Sequence, residues 1–432
     1  MNGELRVTTA NADTPRSFTL DVAKKNGGYG ALKKALDEYK PDEVIQMVKD
    51  SGLRGRGGAG FPTGMKWGFV PKNIPKPRYV VCNADESEPG TFKDRIILER
   101  DPHMLIEGCL ITAYAIESKH AFIYIRGEYG LCIRRVSQAV EEAYRAGYLG
   151  KNILGSGFDC DLTVYSGAGA YICGEETGML DSLEGKRGHP RLKPPFPAVS
   201  GLYDCPTVIN NVETLATVPA IVQKGADWFK STGVENSTGA RIFAVSGHVE
   251  KPGLYELEMG KVTVRQLIED HCGGMRDGKK IKAVIPGGAS TPFLTADELD
   301  CTLDFDAIQE AGSFMGSTAV MVMDETTCIV HATLILTEFF AHESCGQCTP
   351  CREGTHWAAG ILGRLETGGA KSEEIDLLLD ICSEMGGGRT ICALADGAIN
   401  PIISGIQKWR DEYEAHVGSG CPQKGELCEV AW

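Results

Sequence analysis

The chain has 432 residues, and its 44 Lys and Arg face 58 Asp and Glu, a formal net charge of −14. A surface of that sign argues against nucleic acid as the main partner, because phosphate binding needs a positive footprint, and it gives no reason for attachment to an anionic membrane surface. Apolar residues make up 42% and charged residues 24%, a globular mix, and the length suggests about two to four domains of roughly 100–200 residues.

No run approaches the roughly 18 apolar residues that span a bilayer. The most apolar stretch, 328–340, is interrupted by His331, Thr333, Thr337 and Glu338. Residues 1–16 lack the apolar core of a signal peptide. A cytosolic chain is therefore expected, without direct membrane insertion, any membrane association coming through partners. In a reducing compartment clustered cysteines bind metal or react rather than pair. Of the 16 cysteines, Cys82, Cys109, Cys132 and Cys173 stand alone in apolar contexts and are expected to be buried as small hydrophobes.

Residues 1–50 form a helical entry segment. A turn at Gly27-Gly28 precedes a helix over about 31–39, and Pro41 opens a second helix through 49, with Val44, Ile45 and Val48 on one face. Residues 51–237 alternate strands (79–82, 121–125, 161–165) with helices (105–116, 134–146, and one from 175 to 183 with glutamates in its first turn). That alternation predicts a mostly parallel α/β sheet, with ligands at the carboxyl ends of its strands. Over 238–325 short strands at 241–246, 254–257, 283–285 and 319–323 and a helix at 264–270 predict a β-grasp α+β unit. Residues 326–432 are expected to be a bundle of three or four helices, including 329–340, one capped by Ser372, and 396–413.

Cys345-Gly-Gln-Cys348-Thr-Pro-Cys351 places three thiols at i, i+3 and i+6. Such a loop wraps three irons of a cubane cluster, with the fourth ligand often supplied from elsewhere. Structural zinc sites more usually join two separated C-x2-C knuckles, and zinc is the alternative. Cys382, Cys392, Cys421 and Cys428 all follow, and the Gly-rich break before Cys392 favours it over the others.

Gly55-Arg-Gly57-Gly-Ala-Gly60 fits G-x-G-x-x-G by letter, yet a helix precedes it and Phe61-Pro62 follows, so the standard dinucleotide fingerprint fails. The glycines still permit close backbone approach to a flat ring or a phosphate, with Arg56 and Lys66 supplying positive charge. Asn83-Ala-Asp85-Glu86-Ser87-Glu88 brings three carboxylates to a strand end. They could accept hydrogen bonds from ribose or ribityl hydroxyls and disfavour an extra phosphate, hence NADH over NADPH. Ser166 to Glu176 is again glycine-rich and leads into a helix. Gly185 to Lys193 is a basic loop suited to a phosphate or to an exposed rim. Asn210-Asn211 reads as a helix start with an Asn cap. Phe61, Phe69 and Phe196 lie in loops, where an aromatic can stack on a base.

These stretches together resemble the flavin- and NADH-binding subunit family of respiratory complex I, over about residues 27–410. The resemblance implies a Rossmann-like FMN domain, a ubiquitin-like domain and a helical bundle with a 4Fe–4S cluster. It implies an FMN site at Gly55, Arg56, Gly57, Gly58, Lys66, Asn83, Asp85, Glu86, Ser87, Tyr171, Gly174, Glu175, Asn210, Asn211 and Thr214. NADH would stack on the flavin beside Phe61, Lys66, Phe69, Glu88, Glu176 and Phe196, and Cys392 would complete the cluster with Cys345, Cys348 and Cys351. No side chain is needed as general acid or base, because the flavin carries the hydride chemistry.

The expected partners are peripheral-arm subunits, above all the small 2Fe–2S thioredoxin-like E-type subunit and the large iron–sulfur G-type subunit, on the cytoplasmic side of the membrane. A diaphorase subunit of an NAD-linked hydrogenase or formate dehydrogenase is the nearest alternative, and a non-catalytic metal-binding scaffold is the alternative of another class. Ala395, where the family suggests glycine, Cys272 and the tail from Cys421 depart from the family pattern.

Overall fold

The computed structural model describes residues 3–423, so Cys428 lies outside the described residues. The chain divides into two compact units. The first holds the residues up to Ser87, Thr91–Phe243 and Leu254–Val262; the second holds Glu88–Gly90, Ala244–Gly253 and the chain from Thr263 onward.

In the first unit α1 (Leu20–Lys25), α2 (Gly30–Glu38), α3 (Pro41–Asp50) and the short α4 (Thr63–Gly68) precede β1 (Tyr79–Ala84). Then come α5 (Asp94–Arg100), α6 (Pro102–Ala115), β2 (His120–Ile125), α7 (Gly130–Arg145), β3 (Asp161–Ser166), α8 (Glu176–Leu183), β4 (Thr207–Asn211), α9 (Val212–Lys224) and α10 (Ala226–Ser231). Strands β1 to β4 form an all-parallel sheet of order β3-β2-β1-β4. The chain runs outward from β1 through β2 to β3, then returns to place β4 on the other side of β1. The order therefore reverses between β1 and β4, and a crevice opens at their carboxyl ends.

The expected elements are present, with α6 starting at Pro102, ahead of 105. Helices α1, α4, α5 and α10 and strand β4 were not anticipated. The four helices are too short for a full apolar period, and β4 is one unbroken buried run that periodicity cannot assign. Cys82, Cys109, Cys132 and Cys173 are all buried.

After a ribbon of β5 (Gly233–Val234) and β6 (Ser237–Thr238), strand β7 (Ala240–Gly247) starts in the first unit and ends in the second, followed by β8 (Gly253–Glu258). Next are α11 (Val264–Gln266), which runs into a π-helical turn through His271, then β9 (Ile281–Ile285), β10 (Leu294–Thr295), α12 (Phe305–Glu310) and β11 (Ala319–Asp324). The sheet order is β10-β9-β11-β7-β8, with β11 parallel to β7 and antiparallel to β9.

Four helices close the second unit: α13 (Ile329–Glu343), α14 (Thr349–Thr367), α15 (Glu373–Met385) and α16 (Leu394–His416). Ser372 occupies the N-cap position of α15, but its side chain accepts no capping bond, contrary to the sequence reading. Its backbone is already helical (φ −57°, ψ −40°), so the hydroxyl does not point back at the first turn as an extended N-cap residue's would.

One cap in the first unit comes from a distant element. Tyr29, ahead of α2, has φ 64° and offers no side-chain cap. The buried Glu107 carboxylate on α6 instead accepts from the N–H groups of Tyr29 and Leu32, both at 2.9 Å. Burial pushes Glu107 up to about 7, against the pull of those backbone donors. The folded chain thus keeps a proton up to about pH 7 that the unfolded chain releases near pH 4.5, so this contribution to stability is lost as pH rises through the folded value. Glu107→Gln removes the dependence. Between about pH 5 and about pH 8 wild type should lose stability relative to the variant, read from urea midpoints. A constant gap would show that Glu107 is ionised throughout.

Candidate functional site

Four loops meet at the carboxyl ends of β1 and β4. Asn83 and Asn211 are register partners on these strands. Asn83 Nδ2 donates to the Gly174 carbonyl at 2.8 Å and its Oδ1 accepts from Asp85 N–H at 3.1 Å. A side chain at Gly174 would meet Asp85 Oδ2 at 3.4 Å, and one at Gly57 would meet the Asn211 Cβ at 3.0 Å. The glycine-rich loop, the acidic loop, the Tyr171–Glu176 segment and the start of α9 are thereby brought together.

The glycine-rich loop is held by its neighbours despite its composition. Gly55 N–H donates to Phe61 O at 2.9 Å and Arg54 Nε to Gly60 O at 2.7 Å. Arg56 N–H donates to Thr214 Oγ1 at 2.8 Å. Gly58 has φ +134° with open space around a would-be Cβ, a conformation closed to other residues. The Asn211 side chain caps α9, as the sequence suggested, by accepting from Glu213 N–H at 3.0 Å. Asn210 Oδ1 accepts from the Trp67 indole at 2.8 Å.

Arg56 does not offer its charge to the loop surface. Its guanidinium is fully buried and donates to Thr238 O at 2.9 Å. Beneath the loop it joins Arg241, Glu213, Lys93 and Asp94, all buried. Lys93 Nζ is 2.7 Å from Glu213 Oε2 and 2.8 Å from Asp94 Oδ1, and Asn211 Nδ2 donates to Asp94 at 2.5 Å. Burial alone would raise Glu213, but Lys93, Arg241 and Arg56 hold it below the usual carboxylate range. Burial, then the neighbouring Arg241, pushes Arg56 down to about 9.

Glu86 also serves the fold. Its carboxylate accepts from Asp94 N–H at 2.7 Å, Arg95 N–H at 3.0 Å and the Tyr129 hydroxyl at 3.0 Å, capping α5. Burial, then Asp94, pushes it up to about 7. Ser87 Oγ donates to Asp85 Oδ2 at 2.8 Å. Glu88, within the second unit, accepts from Ser290 N–H at 2.7 Å.

Glu175 caps α8, accepting from Thr177 N–H at 2.8 Å and Gly178 N–H at 2.9 Å. Beside it Lys66 Nζ lies 2.8 Å from Glu176, and Lys193 Nζ lies 2.8 Å from Glu175 and 3.0 Å from Glu176. Lys193 was visible in the sequence only as part of a basic loop. That loop is largely neutralised by α8 and its C-cap, since Arg191 pairs with Asp181 at 2.6 Å and Glu184 at 2.9 Å, and Lys186 with Glu184 at 2.5 Å. The Phe61 and Phe69 rings lie 6.2 Å apart. Phe61, Phe69 and Phe196 are 46%, 54% and 58% exposed, large apolar surfaces of the kind that mark ligand grooves.

In the second unit Cys345 and Cys348 precede α14 and Cys351 lies in its first turn. Cys348 Sγ accepts from Ile391 N–H at 3.4 Å, which brings the Cys392 loop to the three-cysteine segment, and Cys351 Sγ is 3.3 Å from Ser344 Oγ. The positive end of a 19-residue helix favours thiolates there. Cys382 is fully buried inside α15, and burial pushes its thiol up to about 12. Cys421 lies beside Cys328, Glu366 and His416. Ala395 and Cys272 are core side chains.

Three family models match along the chain in order: the Nuo51 FMN-binding domain over residues 48–220, the SLBB domain over 241–313, and the NADH-ubiquinone oxidoreductase-F iron-sulfur binding region over 331–416. The second of the NADH-quinone oxidoreductase F subunits of Rhizobium meliloti (strain 1021) is 55% identical over 95% of this chain and 97% of its own length. The NADH-quinone oxidoreductase F subunit of Streptomyces coelicolor is 56% identical over 96% of this chain and 92% of its own. The chain belongs to the family of NADH-quinone oxidoreductase F subunits. A chain of an NAD+-reducing NiFe hydrogenase in the air-oxidized state superposes with a TM-score of 0.82 at 36% identity, covering 96% of this chain and 68% of that one.

The residues fit the family's two cofactors. The FMN-binding match spans the four converging loops, where the Gly57 and Gly58 backbone faces no side chain of its own and the amines of Lys66 and Lys193 reach the partly exposed rim. The iron–sulfur match spans the four cysteines, whose sulfurs are soft donors suited to iron.

The buried ion network gives a direct test. Lys93→Met leaves Glu213 and Asp94 short of a cation, and the cost should be about 3–5 kcal/mol. Chemical denaturation measures it, and a loss below about 1 kcal/mol would show that the network carries no such dependence.

Proposed function

We propose that this chain is the NADH-oxidising subunit of an NADH:quinone oxidoreductase, using FMN and a 4Fe–4S cluster and forwarding electrons to other peripheral subunits. The observation that carries this reading is the meeting of the four loops at the β1–β4 crevice, within a chain 55% identical to an F subunit of that enzyme over 95% of its length. When bound, FMN supplies hydride acceptance and single-electron donation, and the 4Fe–4S cluster supplies single-electron acceptance.

The chain's own groups orient and bind. Gly55, Gly57 and Gly58 would let the backbone approach a bound FMN closely, and Asn83, Asp85, Tyr171, Gly174, Glu175, Asn210, Asn211 and Thr214 would help hold it. Glu86 and Arg56 act from beneath, as a helix cap and as an anchor of the loop. Phe61, Phe69 and Phe196 would offer stacking faces to the nucleotide, with Lys66 and Glu176 as polar contacts. The carboxylates at this site disfavour a 2′-phosphate, so NADH is preferred over NADPH. Cys345, Cys348, Cys351 and Cys392 would hold the cluster.

A small 2Fe–2S thioredoxin-like E-type subunit and a large iron–sulfur G-type subunit are the proposed neighbours, on the cytoplasmic side of the membrane. No helix among the described residues is long and apolar enough to cross a membrane, which agrees with attachment through partners. The hydrogenase likeness supports a second reading, a diaphorase module, and the identity of co-purifying subunits separates the two.

The purified, reconstituted chain is expected to show a flavin spectrum and NADH–ferricyanide activity, and the absence of both would overturn the reading. Cys392→Ala should abolish the cluster's EPR signal, whereas Cys382→Ala should retain it. Loss of the signal only in the Cys382 variant would refute the ligand assignment.

A further inference from the structure

The helical bundle holds a second set of sulfur and nitrogen donors that electron transfer does not use. Cys328 stands at the N-cap of α13, Glu366 near the end of α14, His416 at the end of α16, and Cys421 in the segment that follows. All four are buried, and one ligand atom of each lies within 4.8 Å of the others. Cys328 Sγ is 3.3 Å from His416 Nε2. The other ring nitrogen is committed, because Nδ1–H donates to the Glu412 carbonyl at 2.6 Å. That bond fixes the tautomer and turns the Nε2 lone pair into the cluster, as second-shell carbonyls do for metal-bound histidines.

Glu366 reaches the same point, with Oε2 3.9 Å from His416 Nε2 and Oε1 3.4 Å from His331 Nδ1. Backbone bonds fix the fourth donor: Cys421 N–H donates to Glu366 O and Gly420 N–H to His416 O, each at 3.0 Å.

We propose that Cys328, Glu366, His416 and Cys421 bind one zinc-class divalent ion. Two thiolates, an imidazole and a carboxylate are the donor types of tetrahedral zinc, whereas magnesium and calcium require oxygen ligands. Ligand atoms around a tetrahedral zinc lie about 3.3–3.8 Å apart, so contraction by about an ångström closes the set. The two thiol protons leave on binding, and two thiolates with one carboxylate leave the site one negative charge in excess of the ion. Four protein ligands fill the coordination sphere, which makes the site structural. The ion ties the start of α13 to the ends of α14 and α16 and to the chain beyond them, closing a long loop of sequence at one point.

The test uses the full-length chain as purified, with zinc and iron measured by mass spectrometry and zinc K-edge absorption. Wild type should carry about one zinc per chain, with two sulfurs at about 2.3 Å and two nitrogen or oxygen atoms at about 2.0–2.2 Å. Cys421→Ser should lose zinc several-fold while keeping flavin and iron, and Cys392→Ala should lose iron while keeping zinc. Wild type with full flavin but less than about a tenth of a zinc per chain would overturn the proposal. So would a Cys328–Cys421 disulfide in peptide mapping, or zinc retained in both Cys421→Ser and His416→Ala. If Cys421→Ser fails to fold, the wild-type absorption edge decides. A shell of two sulfurs and two lighter atoms supports the site, whereas four sulfurs would place the zinc at Cys345, Cys348, Cys351 and Cys392 and overturn it.

Discussion

Buried charges beneath the glycine-rich loop determine where that loop stands. Lys93, Asp94, Glu213, Arg56 and Arg241 are removed from water together, and each would be costly alone. Their pairing makes burial tolerable and couples distant parts of the chain. Glu213 lies in the first turn of α9, Lys93 and Asp94 at the start of α5, Arg56 in the loop and Arg241 on β7. Arg241 Nη2 also donates to the Arg56 carbonyl at 3.1 Å, so the loop is held by backbone and side chain alike. A sequence of glycines would otherwise be free to move, and a cofactor bound by such a loop would bear the cost of ordering it. Anchors beneath the loop meet that cost during folding, so the site is arranged before any ligand arrives.

The same principle explains which parts of the site were legible. Asn210-Asn211, the Tyr171–Glu176 segment and the three-cysteine loop are local patterns whose chemistry follows from residue type and spacing. That the first two lie at the carboxyl edge of a parallel sheet followed from strand–helix alternation, because such a sheet places its loops at one edge. The direction a side chain takes was not legible. Arg56 beside glycines reads as a surface cation, yet the Thr238 carbonyl, 182 positions away, holds it inward. Glu86 in an acidic run reads as a hydroxyl acceptor, yet α5 starts eight residues later and takes its carboxylate as a cap. The glutamates of α8 likewise consume the basic loop. For Arg56 and Glu86 the deciding partner is distant in sequence or belongs to an element too short to be foreseen.

The cysteines of the bundle show how environment sorts one residue type into different chemistry. Cys382 and Cys392 were both possible fourth ligands by distance along the chain. Cys382 sits in the interior of α15 with no solvent exposure, and burial holds its proton firmly, so it behaves as a small hydrophobe. Cys392 follows a glycine-rich break, and the bond from Ile391 N–H to Cys348 Sγ keeps its loop against the other three thiols. Cys345, Cys348 and Cys392 are partly open to solvent beside a helix N-terminus, where thiols can lose their protons and receive a cluster, and Cys351 is buried in that helix's first turn. Cys328 and Cys421 answer to a different constraint. They are buried with an imidazole whose free nitrogen faces them and with a carboxylate within the same small volume. Cys345, Cys348 and Cys392 stay partly open to solvent, whereas Cys328 and Cys421 are closed off from water. Donor convergence, rather than burial or the count of cysteines, separates the two.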